Sequence, residues 1–492
     1  MSWTRREFLF ACMAGAVTSP LARTGFAAKL LPPSDPTAGP ADAALLDELQ
    51  RASFDFFWNE ADPHSGLVKD RANANGGDSR LLSSIAATGF GLTALCIGHR
   101  RRYRSHAEVT ARVRQTLKFL AHQAPQEHGF FYHYVDRRDG KRVGATELSP
   151  IDMALLLCGV LTCRTYFHDR EIQRDATLIY NRVDWPWATN GGDTLALEWK
   201  PERGFSVLRW NCYCECMMLY LLALGSPTYP LPARSWHSFQ RPWVEYGKYR
   251  FISTHAPLFI HQFSHAWFDF RGKQDDYADY FTNSTQAIQA HRQFCLELTA
   301  RFPSYSETAW GITASDSSKG YVAWGGPPAQ GPIDGTIVPA AAAGSLPFLF
   351  PESMAVLQNL RREFGDRIWK RYGFVDAFNP LTGWVGPDVV GIDVGISMLM
   401  AENARTQFVW NTFMRNPEVL VAMDKAGFRE EDRSQKSADF CLLSSGFRRV
   451  LGGERAFCLC VGGYAAVCPI RTFFFVTMLT TAKVRKLTAS PG

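Results

Sequence analysis

Long apolar segments alternate along this chain with helical segments that are polar on one side. The segment from Trp210 to Leu224 is apolar almost all round and carries one charge, Glu215, which predicts a helix buried on every side. Asn211 is the predicted N-cap, so Glu215 falls in the first turn. A buried, unpaired carboxylate costs several kcal/mol, so Glu215 indicates either a functional acid or a pairing with a neighbouring arginine.

The rest of the pattern is mostly helical. The segments 84–98 and 150–161 are also apolar all round, whereas 106–123 and 277–299 carry charges on one face. A double ring of helices requires this alternation, because its inner ring is buried and its outer ring is half wet. We therefore predict an all-α toroid, with few strand-like pieces, such as 129–135. The predicted helices are 41–58, 84–98, 106–123, 150–167, 171–181, 210–224, 257–270 and 277–299.

Two further acids, like Glu215, lie near the predicted starts of buried helices. Ser149-Pro150-Ile151-Asp152 reads as the N-cap and first three residues of a helix, with Glu147 in the loop before it. Asp393 immediately precedes the apolar segment 396–400. If the buried helices run parallel, Asp152, Asp393 and Glu215 share one rim. The alternative is structural, with Asp152 in a capping box and Asp393 as an N-cap.

The composition and the N-terminal sequence limit the class of protein and its location. The chain has 492 residues and a net charge of +6, without the basic, aromatic-interleaved block of a nucleic-acid-binding protein. Thr4-Arg5-Arg6, the apolar run 10–17 and small residues near 25–27 predict a twin-arginine export signal over residues 1–28 and a periplasmic or secreted location. An uncleaved basic anchor is the alternative. Residues 29–40 are a Pro-rich linker.

Cysteine and histidine patterns do not predict a metal site. Most of the 12 cysteines lie in apolar surroundings, and Cys212, Cys214 and Cys216 point different ways on a helix, so we interpret them as small buried hydrophobes. His261, His265 and Asp269 are spaced four apart, as three metal ligands on a helix would be, but a packed polar stripe is the commoner cause. We expect no metal and no cofactor.

Several ordered segments carry a family resemblance. YCECMMLYLLALGSPTYPL, HAWFDFRG, WGITASD, DGTIVPAAAAGSLPF, YGFVDAFNP and GIDVGISMLMAEN resemble the glucoamylase-like domain of glycoside hydrolase family 144, over roughly residues 41–428. The resemblance implies an (α/α)6 toroid that hydrolyses β-1,2-glucan to sophoro-oligosaccharides with inversion. An α-glucan glucohydrolase and a non-catalytic periplasmic glucan-binding protein are the alternatives. We expect a monomer that binds glucan, with no stable membrane insertion.

The resemblance also assigns roles. Glu215 matches the acid of the family's Tyr-Ser-Glu segment, and Asp393 matches the Asp of Gly-Ile-Asp-Gln-Gly-Pro. Here Cys214 stands where Ser is usual, and Val394 and Ile396 where Gln and Pro are usual, beside the proposed base. An inverting glycosidase needs a protonated acid and a carboxylate that activates water, about 6.5 to 9.5 Å apart. Asp152 is the third catalytic candidate.

Aromatic and polar residues near these acids are candidates for holding sugar. Trp residues in Gly-rich loops would serve as sugar platforms, and nearby polar groups would hold hydroxyls. The candidates are Glu147, Trp210, Tyr213, His265, Arg271, Trp310, Trp324, Asp334 and Trp384. The resemblance ends near residue 428, and residues 429–492 are treated as an anomalous extension without an assigned function. Pro469 and Arg471 interrupt its apolar run, which makes it a poor membrane span.

Overall fold

Helices dominate the computed structural model, which describes residues 39–254, 257–327 and 331–430. The predicted export signal and nearly all of the C-terminal extension lie outside these residues. The α-helices within them are α1 (Pro40–Asn59), α2 (Ile85–Arg100), α3 (His106–His122), α4 (Pro150–Tyr166), α5 (Arg170–Asn181), α6 (Trp185–Ala188), α7 (Cys216–Gly225), α8 (Arg234–His237), α9 (Tyr280–Glu297), α10 (Pro339–Ala343), α11 (Phe350–Ile368), α12 (Gly391–Thr406), α13 (Phe408–Phe413) and α14 (Pro417–Lys425).

The strands are short and pair as antiparallel ribbons. They are β1 (Arg71–Asn73), β2 (Leu82–Ser84), β3 (Tyr134–Asp136), β4 (Trp199–Lys200), β5 (Gly204–Phe205), β6 (Trp243–Tyr246), β7 (Tyr249–Ile252), β8 (Lys273–Gln274), β9 (Ser315–Ser317), β10 (Gly320–Val322), β11 (Trp369–Lys370), β12 (Gly373–Phe374), β13 (Phe378–Asn379), β14 (Trp384–Val385), β15 (Asp388–Val390) and β16 (Arg429–Glu430). Five ribbons join consecutive strands that follow closely in sequence, from β4–β5 to β13–β14, whereas β1–β15, β2–β3 and β8–β16 tie distant segments together. Strands are therefore more numerous than the sequence predicted.

The division into buried and half-wet helices is confirmed. Every residue of α7 is buried, as are residues 85–98 of α2 and 150–163 of α4, whereas α3 and α5 bury only one face. Among the buried helices, α12 packs on α2 and α10, α2 on α4, and α4 on α7. This arrangement is consistent with a helical toroid.

The crossing of α2 and α4 uses two glycines. Gly89 of α2 and Gly159 of α4 are both fully buried within their helices, and a β-carbon added to Gly159 would overlap the backbone carbonyl of Gly89. Only a residue without a side chain permits this approach. The crossing therefore fixes α4, and with it Asp152, against α2.

The predicted helix 257–270 is wrong. The chain forms two short 3-10 turns there, Leu258–His261 and Ser264–Ala266. His261 lies within hydrogen-bond distance of the Tyr213 hydroxyl (3.3 Å), and His265 of the Ser284 hydroxyl (3.0 Å), while Asp269 pairs with Arg271. The regular helical stripe does not form, and its three members have separate partners.

Two other features concern the ends and the surface of the described region. The rings of Trp236 and Tyr280 pack on Phe428, and β16 pairs with β8, so contacts with the helical body continue two residues beyond the predicted boundary at 428. Within the described ranges, none of the helices has both the length and the apolar composition needed to cross a bilayer.

Candidate active site

Asp152 occupies the first turn of α4 as predicted. The Asp152 backbone N–H donates to the Ser149 hydroxyl oxygen at 3.3 Å, and the same hydroxyl donates to the Asp152 carboxylate. His133 lies between this carboxylate and Glu147, with Nδ1 3.0 Å from Glu147 Oε1 and Nε2 3.5 Å from Asp152 Oδ1. The structure thus brings Glu147 and Asp152 together through a histidine that the sequence analysis missed.

Asp393 is the third residue of α12 and is 6% exposed. The first residue of that helix, Gly391, donates its N–H to the Asp70 carbonyl at 2.7 Å, which ties the start of α12 to the segment leading into β1. Asp393 lines a small cavity that Asp376 and Val394 also line. Val394, which stands where the resembling family usually has Gln, therefore lines the same cavity as Asp393, the proposed base.

The N-terminal ends of α2, α4 and α12 meet at one end of the helical body. The Ile85 N–H donates to the His133 carbonyl at 3.2 Å, and the His133 N–H donates to the Glu147 carbonyl at 2.9 Å. Asp70, which holds the start of α12, donates its own N–H to the Leu82 carbonyl at 3.1 Å. These bonds connect the loops that precede the three helices.

Glu215 lies just before α7 as its N-cap and is 3% exposed. The predicted helix start at Cys212 is wrong, because residues 211–213 bond to another segment: the Tyr213 N–H donates to the Gln240 carbonyl at 2.8 Å, and the Gln240 N–H to the Asn211 carbonyl at 2.9 Å. The Glu215 side chain makes no capping hydrogen bond to its own helix. Its backbone carbonyl accepts a bond from the Ser264 hydroxyl at 2.8 Å.

The start of α7 is also connected to the start of α4. The Leu148 N–H donates to the Trp199 carbonyl at 2.9 Å, and the ribbon β4–β5 leads on to Trp210, whose N–H donates to the Leu195 carbonyl at 2.9 Å. These bonds place the segment that leads into α7 beside the loop that precedes α4. All three predicted acids lie at the N-terminal ends of buried helices.

A charged network that the sequence analysis missed adjoins Asp393. Arg71 pairs with Asp70 (Nε to Oδ2, 3.0 Å) and with Asp316 (Nη1 to Oδ1, 2.7 Å). Burial by itself lowers the pKa of Arg71, but the two carboxylates outweigh it and raise that pKa, so the guanidinium stays charged. Asp376 accepts the Asp316 N–H at 2.7 Å. Burial raises the pKa of Asp376 well above its ordinary value, and the charge of Asp393 raises it further.

A sequence signal for this network existed. Asp376 is the only charge in the run Gly373-Phe374-Val375-Asp376-Ala377-Phe378, which is the same pattern that singled out Glu215. Asp376, however, lies between two short strands and not at the end of a helix. A charge isolated in an apolar run is informative in either setting, because burial penalises it equally.

The predicted sugar platforms differ in exposure. Trp210, Tyr213 and Trp310 are at most 1% exposed, and the Tyr213 hydroxyl is occupied by His261, so these rings serve as packing residues in this conformation. Trp324 is 4% exposed and donates its indole N–H to the Ser315 hydroxyl at 2.9 Å, next to Asp316. Trp384, on β14, is half-buried and thus presents part of its ring to solvent.

Three predicted polar contacts lie elsewhere. Arg271 bonds to Gln407 (2.9 Å), just past the far end of α12, about 20 Å along the helix axis from Asp393. His265 is fully buried, and burial lowers its pKa to about 3, so it is neutral. Asp334 is exposed and accepts the Thr336 N–H at 3.0 Å within a turn. Arg271 therefore lies away from Asp393, while His265 follows Ser264, whose hydroxyl bonds to the Glu215 carbonyl.

In fold and in sequence, this chain is similar to one class of proteins, the glycoside hydrolases that act on β-1,2-glucans. Residues 207–417 match the Glycoamylase family model, described as "Putative glucoamylase". An exo β-1,2-glucooligosaccharide sophorohydrolase (non-reducing end) from Parabacteroides distasonis is 29% identical over 426 residues, covering 78% of this chain and 58% of that protein. The chain thus spans under two thirds of the length of this curated relative.

Solved structures agree with the sequence matches. The endo-β-1,2-glucanase from Chitinophaga pinensis, determined with sophorotriose and glucose, superposes with a TM-score of 0.75 at 27% identity, over 79% of this chain and 99% of that one. The β-1,2-glucanase from Parabacteroides distasonis gives a TM-score of 0.73 at 27% identity, over 78% of this chain and 60% of that one. The predicted resemblance to endo-β-1,2-glucanase-like hydrolases with a glucoamylase-like domain is confirmed.

Proposed function

We propose that this protein hydrolyses β-1,2-glucan to sophoro-oligosaccharides on an (α/α)6 toroid, with inversion at the anomeric carbon. The observation that carries the proposal is the position of Glu215, Asp152 and Asp393 at the starts of buried helices, in a body that superposes on 99% of an endo-β-1,2-glucanase. A glucan chain laid across this end would meet all three carboxylates. Trp384 and Trp324 are the proposed sugar platforms.

Glu215 is the proposed general acid and donates a proton to the glycosidic oxygen as its bond to the anomeric carbon breaks. An acid must hold its proton at working pH. The start of α7 favours the ionised form and burial favours the protonated form, so the proposed role requires burial to outweigh the helix dipole. The leaving sugar departs with a hydroxyl group at the oxygen that received the proton.

Asp393 is the proposed base and takes a proton from a water whose oxygen attacks the anomeric carbon from the opposite face. Its position in the first turn of α12 supports this role, because the amide dipoles of a helix start stabilise a carboxylate. The distance required between the two carboxyl groups is about 6.5 to 9.5 Å. Asp152, held by Ser149 and His133, is the alternative base.

One experiment tests the reaction class. Purified protein is incubated with linear β-1,2-glucan, starch and laminarin, and the products are separated by chromatography. Sophoro-oligosaccharides from β-1,2-glucan alone are the expected result. Glucose from starch would instead identify an α-glucan glucohydrolase, and binding without products would identify a glucan-binding protein.

Variants separate the two candidate bases. Asp393→Asn is expected to lower turnover by at least roughly 10²-fold, the usual size of general base catalysis. If Asp152→Asn abolishes turnover with the fold intact while Asp393→Asn does not, Asp152 is the base. Circular dichroism of each variant checks the fold.

Location and assembly are part of the same proposal. We propose export to the periplasm by the twin-arginine route and action as a monomer; the Thr4-Arg5-Arg6 segment supports the export step. When Arg5 and Arg6 are replaced by Lys, the protein should stay in the cytoplasm, which fractionation of the expressing cells would detect. Periplasmic recovery of that variant would contradict the route.

A further inference from the structure

Asp376 is a buried acid that the proposed mechanism leaves without a role. It is 4% exposed and lies in the loop between β12 and β13. Its Oδ2 accepts the Asp316 N–H at 2.7 Å. Its Oδ1 is buried and has no hydrogen-bond partner among the residues that the structure describes. A native protein rarely leaves such an atom unsatisfied, so the position requires an explanation.

Asp376 and Asp393 line the same small cavity. The other lining groups are mostly apolar, among them Pro339, Val389 and Val390. Two ionised carboxylates in such a cavity repel each other and are poorly solvated, so a pair of this kind holds one proton over a wide pH range. The charged groups that face Asp376 are Asp393 from α12, Asp316 from β9 and Arg71 from β1.

The two acids differ in what stabilises their ionised forms. Asp393 lies in the first turn of α12, where backbone N–H groups and the helix dipole favour a negative charge. Asp376 has one backbone N–H donor, on Oδ2. Arg71 lies closer to Asp70 and Asp316, which it pairs with directly, and so compensates Asp376 only in part. The proton of the pair therefore resides on Asp376.

We propose that Asp376 is a positioning residue that carries the single proton of an Asp376–Asp393 carboxyl pair and so keeps Asp393 ionised as the base. Protonated Asp376 also has a hydroxyl that can donate a hydrogen bond into the shared cavity from its Oδ1 side. This inference rests on the proposed role of Asp393. In this proposal, Arg71 and Asp316 hold Asp376 in place.

The first test measures melting temperature against pH, which does not depend on activity. A carboxyl group whose pKa is raised by folding contributes stability at low pH and loses it as pH rises towards that raised pKa. Asp376→Asn removes this loss, so its melting temperature relative to the unchanged protein should rise between about pH 4 and pH 8. A difference that stays constant with pH would overturn the proposal.

Asp175 is a matched control for that measurement. It is equally buried, lies outside the site, and pairs with Arg174 and His122, which outweigh burial and lower its pKa. Asp175 is ionised in both the folded and the unfolded chain above about pH 4, so the relative melting temperature of Asp175→Asn should stay nearly constant between pH 4 and pH 8. Parallel trends in the two variants would show a general effect of removing an acid and would contradict the inference.

The second test ranks turnover of β-1,2-glucan. Asparagine resembles protonated aspartic acid in shape and neutrality, so Asp376→Asn should lose at most about tenfold, whereas Asp376→Ala and Asp393→Asn should each lose roughly 10²-fold or more. The acid limb of the pH profile of Asp376→Asn should stay close to that of the unchanged protein. A loss in Asp376→Asn as large as in Asp393→Asn would make Asp376 the base and overturn the proposal. If the unchanged protein turns over no β-1,2-glucan, the proposed function fails, while the melting data still decide where the proton resides.

Discussion

Replacing Glu215 by glutamine separates proton donation from binding. The amide keeps the shape of the side chain, and the bond from Ser264 to the Glu215 backbone carbonyl is unaffected, so the start of α7 should be undisturbed. Because the side chain is only 3% exposed, bulk water is poorly placed to replace the lost acid. General acid catalysis contributes roughly 10² to 10⁴-fold, which is about 3 to 5 kcal/mol of barrier, and the burial favours the upper half of that range.

The assay compares two substrates. On β-1,2-glucan, Glu215→Gln should lose turnover while its affinity for the glucan, measured by calorimetry, stays similar. On an aryl sophoroside with a good leaving group, which needs little protonation, Glu215→Gln should recover to within about tenfold of the unchanged protein, and Asp393→Asn should not. The exposed Asp139→Asn variant is the control and should behave as the unchanged protein on both substrates.

Equal rescue of both variants would refute the division of labour, because only the acid becomes dispensable when the leaving group is good. A loss of glucan affinity in Glu215→Gln as large as its loss of turnover would likewise show that Glu215 binds substrate and does not act as the proton donor.

Two further predictions concern stability. Gly159→Ala should destabilise the fold by about 2 to 3 kcal/mol in urea unfolding, because the new methyl overlaps the Gly89 carbonyl at the α2–α4 crossing; Gly365→Ala, where the methyl meets only the flexible end of Arg361, should be neutral or stabilising, and similar effects would disprove the crossing argument. Acid should also unfold the protein, because burial lowers the pKa of three histidines to about 3, so the unfolded chain binds protons that the folded one does not as pH falls from about 6.5 towards 3. Each histidine then contributes up to about 1.4 kcal/mol per pH unit to the slope of the unfolding free energy against pH. His291→Gln, which keeps an acceptor for the Ile312 N–H, should lower that slope by about this amount. An unchanged slope would show that His291 does not contribute. The three are His261, His265 and His291.

Helices with a strong local signal could be predicted closely from the sequence. The start of α4 was predicted to the residue, because Ser149 and Pro150 encode a cap and a first turn that need no distant partner. The start of α7 was not, because residues 211–213 bond to Gln240, and nothing in the local sequence reveals a partner so far along the chain. The segment 257–270 failed for a similar reason, since its histidines find partners in Ser253 and Ser284.

The candidate site divides in the same way. The positions of Glu215, Asp152 and Asp393 at helix starts are predictable, because isolated charges at the ends of apolar segments are visible in sequence. Arg71 and Asp316 were missed because their ion pair joins residues 245 positions apart, on two short strands with no hydrophobic period. Arg271 was expected near the acids, but its neighbour Gln407 follows the opposite end of α12.

Because the three acids lie at helix starts, the residues around them can vary separately from the buried helices that support the fold. Each acid belongs to the first turn or cap of a helix that is mostly buried and contacts other buried helices. Substitutions such as Val394 and Ile396 near the start of α12 can therefore alter substrate preference while the lower turns preserve the scaffold. A protein built in this way can change its chemistry at one end of the molecule while its buried core stays the same.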